Sequence, residues 1–212
     1  LDDLRRAQAW VAYHDALEES ESARQLWRER GVPDDWQNYW QLGYSAGFPV
    51  ATKDGRWITP TLTIPIFGAG WEVLTIRHRL LNPPTPNDKY RPERPGLSAH
   101  PFLGDPDRGL DHHRILVVEG EIKGMVTYLT LDDPDIQVIG IPGKSWFPHI
   151  ADQLKGHDVT ICFDPDADQE ALGAAKSVGG KVVRIAMKVD DAINAGAIDQ
   201  RTLFALLDGA RR

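Results

Sequence analysis

Residues 161–170 read ICFDPDADQE. The apolar run Ile161, Cys162, Phe163 ends in aspartates at every second position: Asp164, Asp166 and Asp168. Carboxylates this close repel one another, so they mark either a solvated strand end or a place where something positive sits. The surrounding sequence alternates in character. RILVVE (114–119) reads as a buried strand, EIKGMVTYLTL (121–131) as a helix, IQVIGI (136–141) as a strand and SWFPHIADQL (145–154) as a helix. VTICF (159–163) is the next strand, ADQEALGAAKSV (167–178) a helix, KVVRIAM (181–187) a strand, and two short helices close the chain.

Alternation of this kind predicts an α/β fold: a mainly parallel, Rossmann-like sheet with helices on both faces. Ligands of such sheets gather at the carboxyl ends of the strands. Glu119 ends the first strand of this zone, Asp164 and Asp166 follow the third, and Asp190 and Asp191 follow the fourth, so all five acids share one edge. With Pro165 holding the backbone extended, Asp164 and Asp166 are expected to point the same way. Hard oxygen donors at this density suit Mg²⁺ or Mn²⁺, not zinc. The chemistry that needs them is phosphoryl or nucleotidyl transfer. For any one acid, capping the following helix is the competing reading, and Asp168 is read as a cap alone.

Upstream the sequence predicts a smaller α+β subdomain. Helices are expected from the stripe Leu4, Ala7, Val11, Ala16, Leu17 and from Ser20 or Ser22 to Gly31, with a third, short helix in VPDDWQNYWQLGY ended by Gly43. RWITPTLTIPIF and WEVLTIRHRLL, separated by GAG, read as a β-hairpin. The Pro- and Gly-rich stretch after it reads as one long irregular loop. The expected division is residues 1–108 and 109–212.

The 212 residues carry a net charge of −7, with 42% hydrophobic and 26% charged residues, as in an ordinary soluble domain. No apolar run reaches the ~20 residues of a membrane span, and no basic-then-apolar segment in these residues reads as a signal peptide. The one cysteine, Cys162, leaves no internal disulfide and no cysteine-based zinc site, so a cytoplasmic setting is expected. Residues 51–100 reverse the acidic balance, with seven bases (Lys53, Arg56, Arg77, Arg79, Lys89, Arg91, Arg94) against four acids. A basic middle beside a metal-holding acidic edge suits a phosphate polymer.

VVEGEIKG, followed 45 residues after Glu119 by FDPDAD in this strand–helix order, resembles the toprim domain shared by topoisomerases, primases and certain nucleases. The resemblance assigns the metal site to Glu119, Asp164 and Asp166. VDDAINAG resembles the segment closing the primase version, which adds Asp190 and Asp191. RERGVPDDWQNYWQLGY and LTIPIF…VLTIRHRLL…KY resemble the parts preceding the toprim domain in bacterial and phage primase cores. The likeness implies a DNA primase: a metal-dependent nucleotidyltransferase, with Mg²⁺ or Mn²⁺, joining nucleoside triphosphates on single-stranded DNA. Glu119, Asp164 and Asp166 would be catalytic, and Arg77, Arg79, Lys89, Arg91 and Lys123 would hold nucleic acid or triphosphate. A replicative helicase is the implied partner, and zinc-binding and helicase modules are expected outside these residues. Lys123 departs from the pattern, standing where typical replicative primases carry an acid, so one metal ligand is missing. IPGKSW looks more like phage and mobile-element relatives; it lacks the G-x-x-x-x-G-K-[ST] spacing of a P-loop. A toprim nuclease, or a DNA-binding toprim module with weakened catalysis, is the alternative.

Overall fold

The computed structural model describes residues 2–52, 55–85 and 88–210; Lys53 lies outside them. The chain forms two compact units. One runs from the N-terminus through Phe67 and resumes over Glu72–Ala99; the other comprises Gly68–Trp71 and the chain from His100 onward.

The first unit opens with α1 (Asp2–Glu18), α2 (Glu21–Arg28) and α3 (Asp34–Tyr39). Ser20 caps α2, its hydroxyl accepting from the Ala23 N–H at 3.3 Å. The α1 stripe differs from expectation at Val11, which is 43% exposed, whereas His14 and Leu17 are buried. Four antiparallel strands follow in the order β1 (Gly43–Thr52), β2 (Gly55–Phe67), β3 (Val73–Leu80) and β4 (Tyr90–Pro92). The β2–β3 pair is the expected hairpin. Strand β1 is a correction, because Gly43 does not stop α3. Gln41, at φ 50°, turns the chain, and Gly43 starts a strand so close to α1 that a Cβ there would lie 2.7 Å from Tyr13. Trp27, Trp40, Leu62, Ile64, Ile66 and Ile76 are fully buried; burial of each such side chain contributes about 1.5–3 kcal/mol.

The second unit is a five-stranded sheet in the order β5 (Phe102–Leu103), β7 (Ile136–Ile141), β6 (Arg114–Glu119), β8 (Asp158–Cys162), β9 (Lys181–Val182). β6 pairs in parallel with both β7 and β8, β8 pairs in parallel with β9, and β5 alone is antiparallel. Alternate residues of β6 show why both faces are covered. Ile115 and Val117 pack with α5 (Ala151–Leu154) and α6 (Asp168–Val178). Leu116 and Val118 pack towards α4 (Glu121–Leu131), α7 (Val189–Asn194) and α8 (Gln200–Asp208).

Two expected elements are shorter than predicted. Residues 145–154 do not form one helix: Lys144–His149 is a 3₁₀ helix containing Pro148, and only Ala151–Leu154 is α-helical. KVVRIAM pairs over Lys181–Val182 alone, with one further bond from the Val183 N–H to the Ile161 carbonyl. No helix among the described residues is long and apolar enough to cross a membrane.

Candidate active site

From β6 the chain crosses to β7 on one side and then returns to β8 on the other, so the strand order reverses at the β6–β8 pair. The crevice at such a reversal lies at the carboxyl ends of those strands. Glu119 ends β6, Val118 pairs with Cys162 near the end of β8, and Asp164 follows two residues later.

The Glu119–Gly120 turn is fixed by backbone needs. Gly120 has φ 104°, a conformation that an L side chain resists, and its N–H donates to the Ile141 carbonyl at 2.7 Å. Glu119 is thereby delivered at the strand end, and α4 begins at once. Burial pushes the half-buried Glu119 carboxyl above its usual range, and the Asp164 charge adds to this; Lys123, Lys144 and the Lys144 backbone N–H oppose it.

Pro165 does not hold the backbone extended. Asp164–Pro165–Asp166–Ala167 is a turn closed by the Ala167 N–H on the Asp164 carbonyl at 2.9 Å, with Pro at the position it favours. Asp164 and Asp166 therefore sit in different surroundings. The Asp164 side chain is only 15% exposed, its Oδ1 lies 2.5 Å from Lys123 Nζ and its Oδ2 4.0 Å from Lys188 Nζ. Asp166 is exposed, within electrostatic reach of Lys144. Asp168, in the first turn of α6, caps nothing and pairs with Arg184 at 3.1 Å.

Asp190 and Asp191 do not directly follow a strand, because β9 ends at Val182; they form the first turn of α7, which packs against α4. Burial pushes Asp190 upward and Lys123 opposes it. Its Oδ1 is buried with no hydrogen-bond partner. Asp191 is exposed.

Three lysines thus interleave with the acids. Lys123 is a candidate from sequence, but Lys144 and Lys188 are not. Lys144 pairs with Glu170 at 2.7 Å and lies in the segment after β7; Lys188 is the residue before α7. Their one readable signal is position, since Lys144 opens a helix and Lys188 directly precedes one at the edge where ligands collect.

The donor set suits a hard dication chemically, and the orphaned Asp190 Oδ1 is an oxygen that a cation would satisfy. Against this, the Lys123 ammonium already holds Asp164. Among the described residues no group of three or more His, Cys, Asp or Glu side chains is drawn together as a ready-made metal cage. The residues fit a dication only if Lys123 yields.

The basic candidates Arg77, Arg79, Lys89 and Arg91 lie in the first unit. Arg77 and Arg79, two apart on β3, set their guanidinium groups 4.9 and 5.4 Å from the centre of the Tyr90 ring. Arg79 also donates to the Tyr90 hydroxyl at 2.8 Å. Arg91 pairs with Asp88 at 2.7 Å, and Lys89 is exposed. His112, next to His113, is buried with Nε2 3.3 Å from Asp105 and serves the core of the second unit.

No family model and no curated protein matches the chain in sequence. Solved structures do match in fold. The chain superposes on the Escherichia coli primase catalytic core with a TM-score of 0.73 and 17% identity, over 99% of this chain and 80% of that one. Against the zinc-binding and RNA polymerase domains of the Aquifex aeolicus primase the TM-score is 0.72 at 15% identity, over 97% of this chain and 60% of that one. A DnaG primase catalytic domain bound to single-stranded DNA gives 0.70 at 16% identity, over 97% of this chain and 79% of that one. The fold is that of a toprim primase core. The chain spans 60% of the length of the Aquifex chain.

Proposed function

We propose that the protein performs primase-type nucleotidyl transfer, extending a short primer on a single-stranded DNA template. The observation that carries this reading is the placement of Glu119 at the end of β6 and of Asp164 just past the end of neighbouring β8, at the reversal point of a sheet with the primase-core fold. Asp164, Asp166 and Asp190, with Glu119 and Asp191 beside them, would hold Mg²⁺ or Mn²⁺. When bound, that ion supplies neutralisation of the triphosphate and activation of the attacking hydroxyl.

The chain's own residues do the rest. Glu119, its proton affinity raised by burial and by Asp164, is placed to accept or orient the proton of a hydroxyl. Lys144 and Lys188 put positive charge where phosphate oxygens would lie. Arg77, Arg79, Lys89 and Arg91 would grip the template backbone, giving affinity without sequence reading. A phage or mobile-element origin and a helicase partner belong to the same reading and rest on IPGKSW and on the primase likeness.

The test is template-dependent dinucleotide synthesis with Mg²⁺ and with Mn²⁺, comparing native protein with Asp164→Ala of matched circular dichroism. Synthesis that vanishes in the variant is expected. Cleavage of labelled DNA without extension would point to a toprim nuclease instead. The Lys123–Asp164 pair favours one second reading, a DNA-binding module that does not turn over. Tight single-strand binding with no synthesis under any metal condition would select it.

A further inference from the structure

We propose that Lys123 is the resident cation of the acidic site, holding with its ammonium the place that a metal ion would take, so that a dication enters only by displacing it. This rests on the acidic site of the proposed primase reading and deepens it.

Geometry comes first. Lys123 Nζ lies 2.5 Å from Asp164 Oδ1, and the two side chains are only 13% and 15% exposed. A largely desolvated ion pair of this kind is not the loose surface contact that water and salt dissolve.

Its reach is the second observation. The helix that carries Lys123 starts directly after Glu119 and packs against α7, whose first turn holds Asp190. Acids from β6, α7 and the turn after β8 thus border the helix whose ammonium is paired with Asp164. Its neighbours do not duplicate the role. Lys144 is engaged with Glu170, and Lys188, 52% exposed, stands 4.0 Å from the other Asp164 oxygen.

The third is anchorage. Lys123 sits in the first turn of α4, whose start is set by the Gly120 turn. One residue on, Gly124 passes so close to β7 that a Cβ on it would lie 3.1 Å from the Gly140 Cα. The helix cannot slide away to withdraw the lysine; only its side chain can leave. A metal ion bound to Asp164 Oδ1 would sit against the ammonium that already occupies it, so metal and ammonium compete.

Calorimetry of Mn²⁺ binding, by native protein, Lys123→Gln, Lys123→Met and Lys123→Arg, tests this. Removing the charge is expected to tighten Mn²⁺ binding by at least about tenfold, as deletion of one positive charge a few ångströms from a partly buried site should. Lys123→Arg, keeping the charge, should bind as weakly as native protein. Thermal unfolding is the second readout: Mn²⁺ should raise the midpoint of the Gln and Met variants and leave the native midpoint unmoved. Affinities of native, Gln and Met proteins within twofold of each other would overturn the proposal. So would tight stoichiometric Mn²⁺ binding by native protein, a result that needs no variant to fold. The catalytic reading fails separately. If the Gln variant gains metal yet no form synthesises primer, Lys123 is the resident cation of a site that is not a polymerase.

Discussion

Gly140 of β7 and Gly120, the residue after Glu119, meet backbone to backbone. A Cβ built on Gly140 would lie 2.6 Å from the Gly120 carbonyl oxygen and 3.1 Å from the Glu121 Cα. No side-chain rotation can relieve such a clash, because both atoms belong to the main chain. Gly140→Ala is therefore expected to push the Glu119–Gly120 turn off the sheet and to cost about 1–3 kcal/mol. Urea unfolding measures the loss, and an unchanged midpoint would show that the turn can move freely. Primer synthesis should fall in the same variant, because Glu119 and Lys123 both hang on that turn.

The Lys123–Asp164 pair overturns one expectation about acidic edges. If repulsion among the aspartates dominated, Asp164→Ala would stabilise the fold. With Lys123 at 2.5 Å, each partner instead relieves the desolvation of the other. Asp164→Asn and Lys123→Met should each destabilise by about 1.5–3 kcal/mol, as for a hydrogen bond between charged groups. The double variant should lose much less than the sum of the two. Strict additivity in this cycle would mean that the contact carries no energy.

How far each signal reaches along the chain decides what is legible in the sequence and what is hidden. Glu119 and Asp164 are readable because an apolar run of strand length that ends in an acid fixes both the element and the end at which that acid emerges. The turn at Asp164–Ala167 is easily misread because proline serves extended chain and turn alike, and only the Ala167–Asp164 hydrogen bond decides. Strand β1 is hidden by Gly43, Gly47 and Pro49, residues that argue against a strand, although β1 is an edge strand, where proline is tolerated. Lys144 and Lys188 escape notice for a different reason. A single lysine after a strand has no period, and its importance appears only when distant acids are brought beside it.

In the first unit, His78 carries a pH dependence. It is fully buried and stacked on Phe48 at a ring separation of 3.6 Å, with Nδ1 2.9 Å from the Thr61 hydroxyl and Nε2 2.6 Å from Glu93 Oε2. Tyr13 donates to the other Glu93 oxygen, and burial with the Glu93 charge pushes its hydroxyl up to about 12. Burial lowers the His78 pKa, with Glu93 opposing, so the fold prefers the neutral ring. His112 is shifted the same way, chiefly by burial. A base whose pKa is depressed on folding binds more protons when unfolded. Its contribution is therefore complete above the unfolded value of about 6.5 and is lost as pH falls through that value towards the folded one. The thermal midpoint should hold steady from neutral pH down to about 6.5 and then decline. Imidazole ¹⁵N shifts followed through the titration should give His78 a midpoint in the folded protein below the usual value of about 6.5. A folded midpoint above that value would reverse the sign.

Arg77 and Arg79 are held as a pair by one ring. Tyr90 lies under both guanidinium groups and accepts from Arg79 through its hydroxyl, so two charges two residues apart on β3 present a fixed spacing. If this pair grips template phosphates, Arg77→Ala and Arg79→Ala should each weaken binding of single-stranded DNA of any sequence. Each should also lower the slope of log affinity against log salt by about 0.7, the value for one phosphate contact on a single strand. Tyr90→Phe keeps the ring and removes only the hydroxyl, so it should cost less affinity than either arginine change and leave the slope unaltered. Fluorescence anisotropy with a labelled oligonucleotide across a salt series measures both quantities. A slope unchanged in both arginine variants would move the template to another face of the protein, whatever happened to the affinity itself.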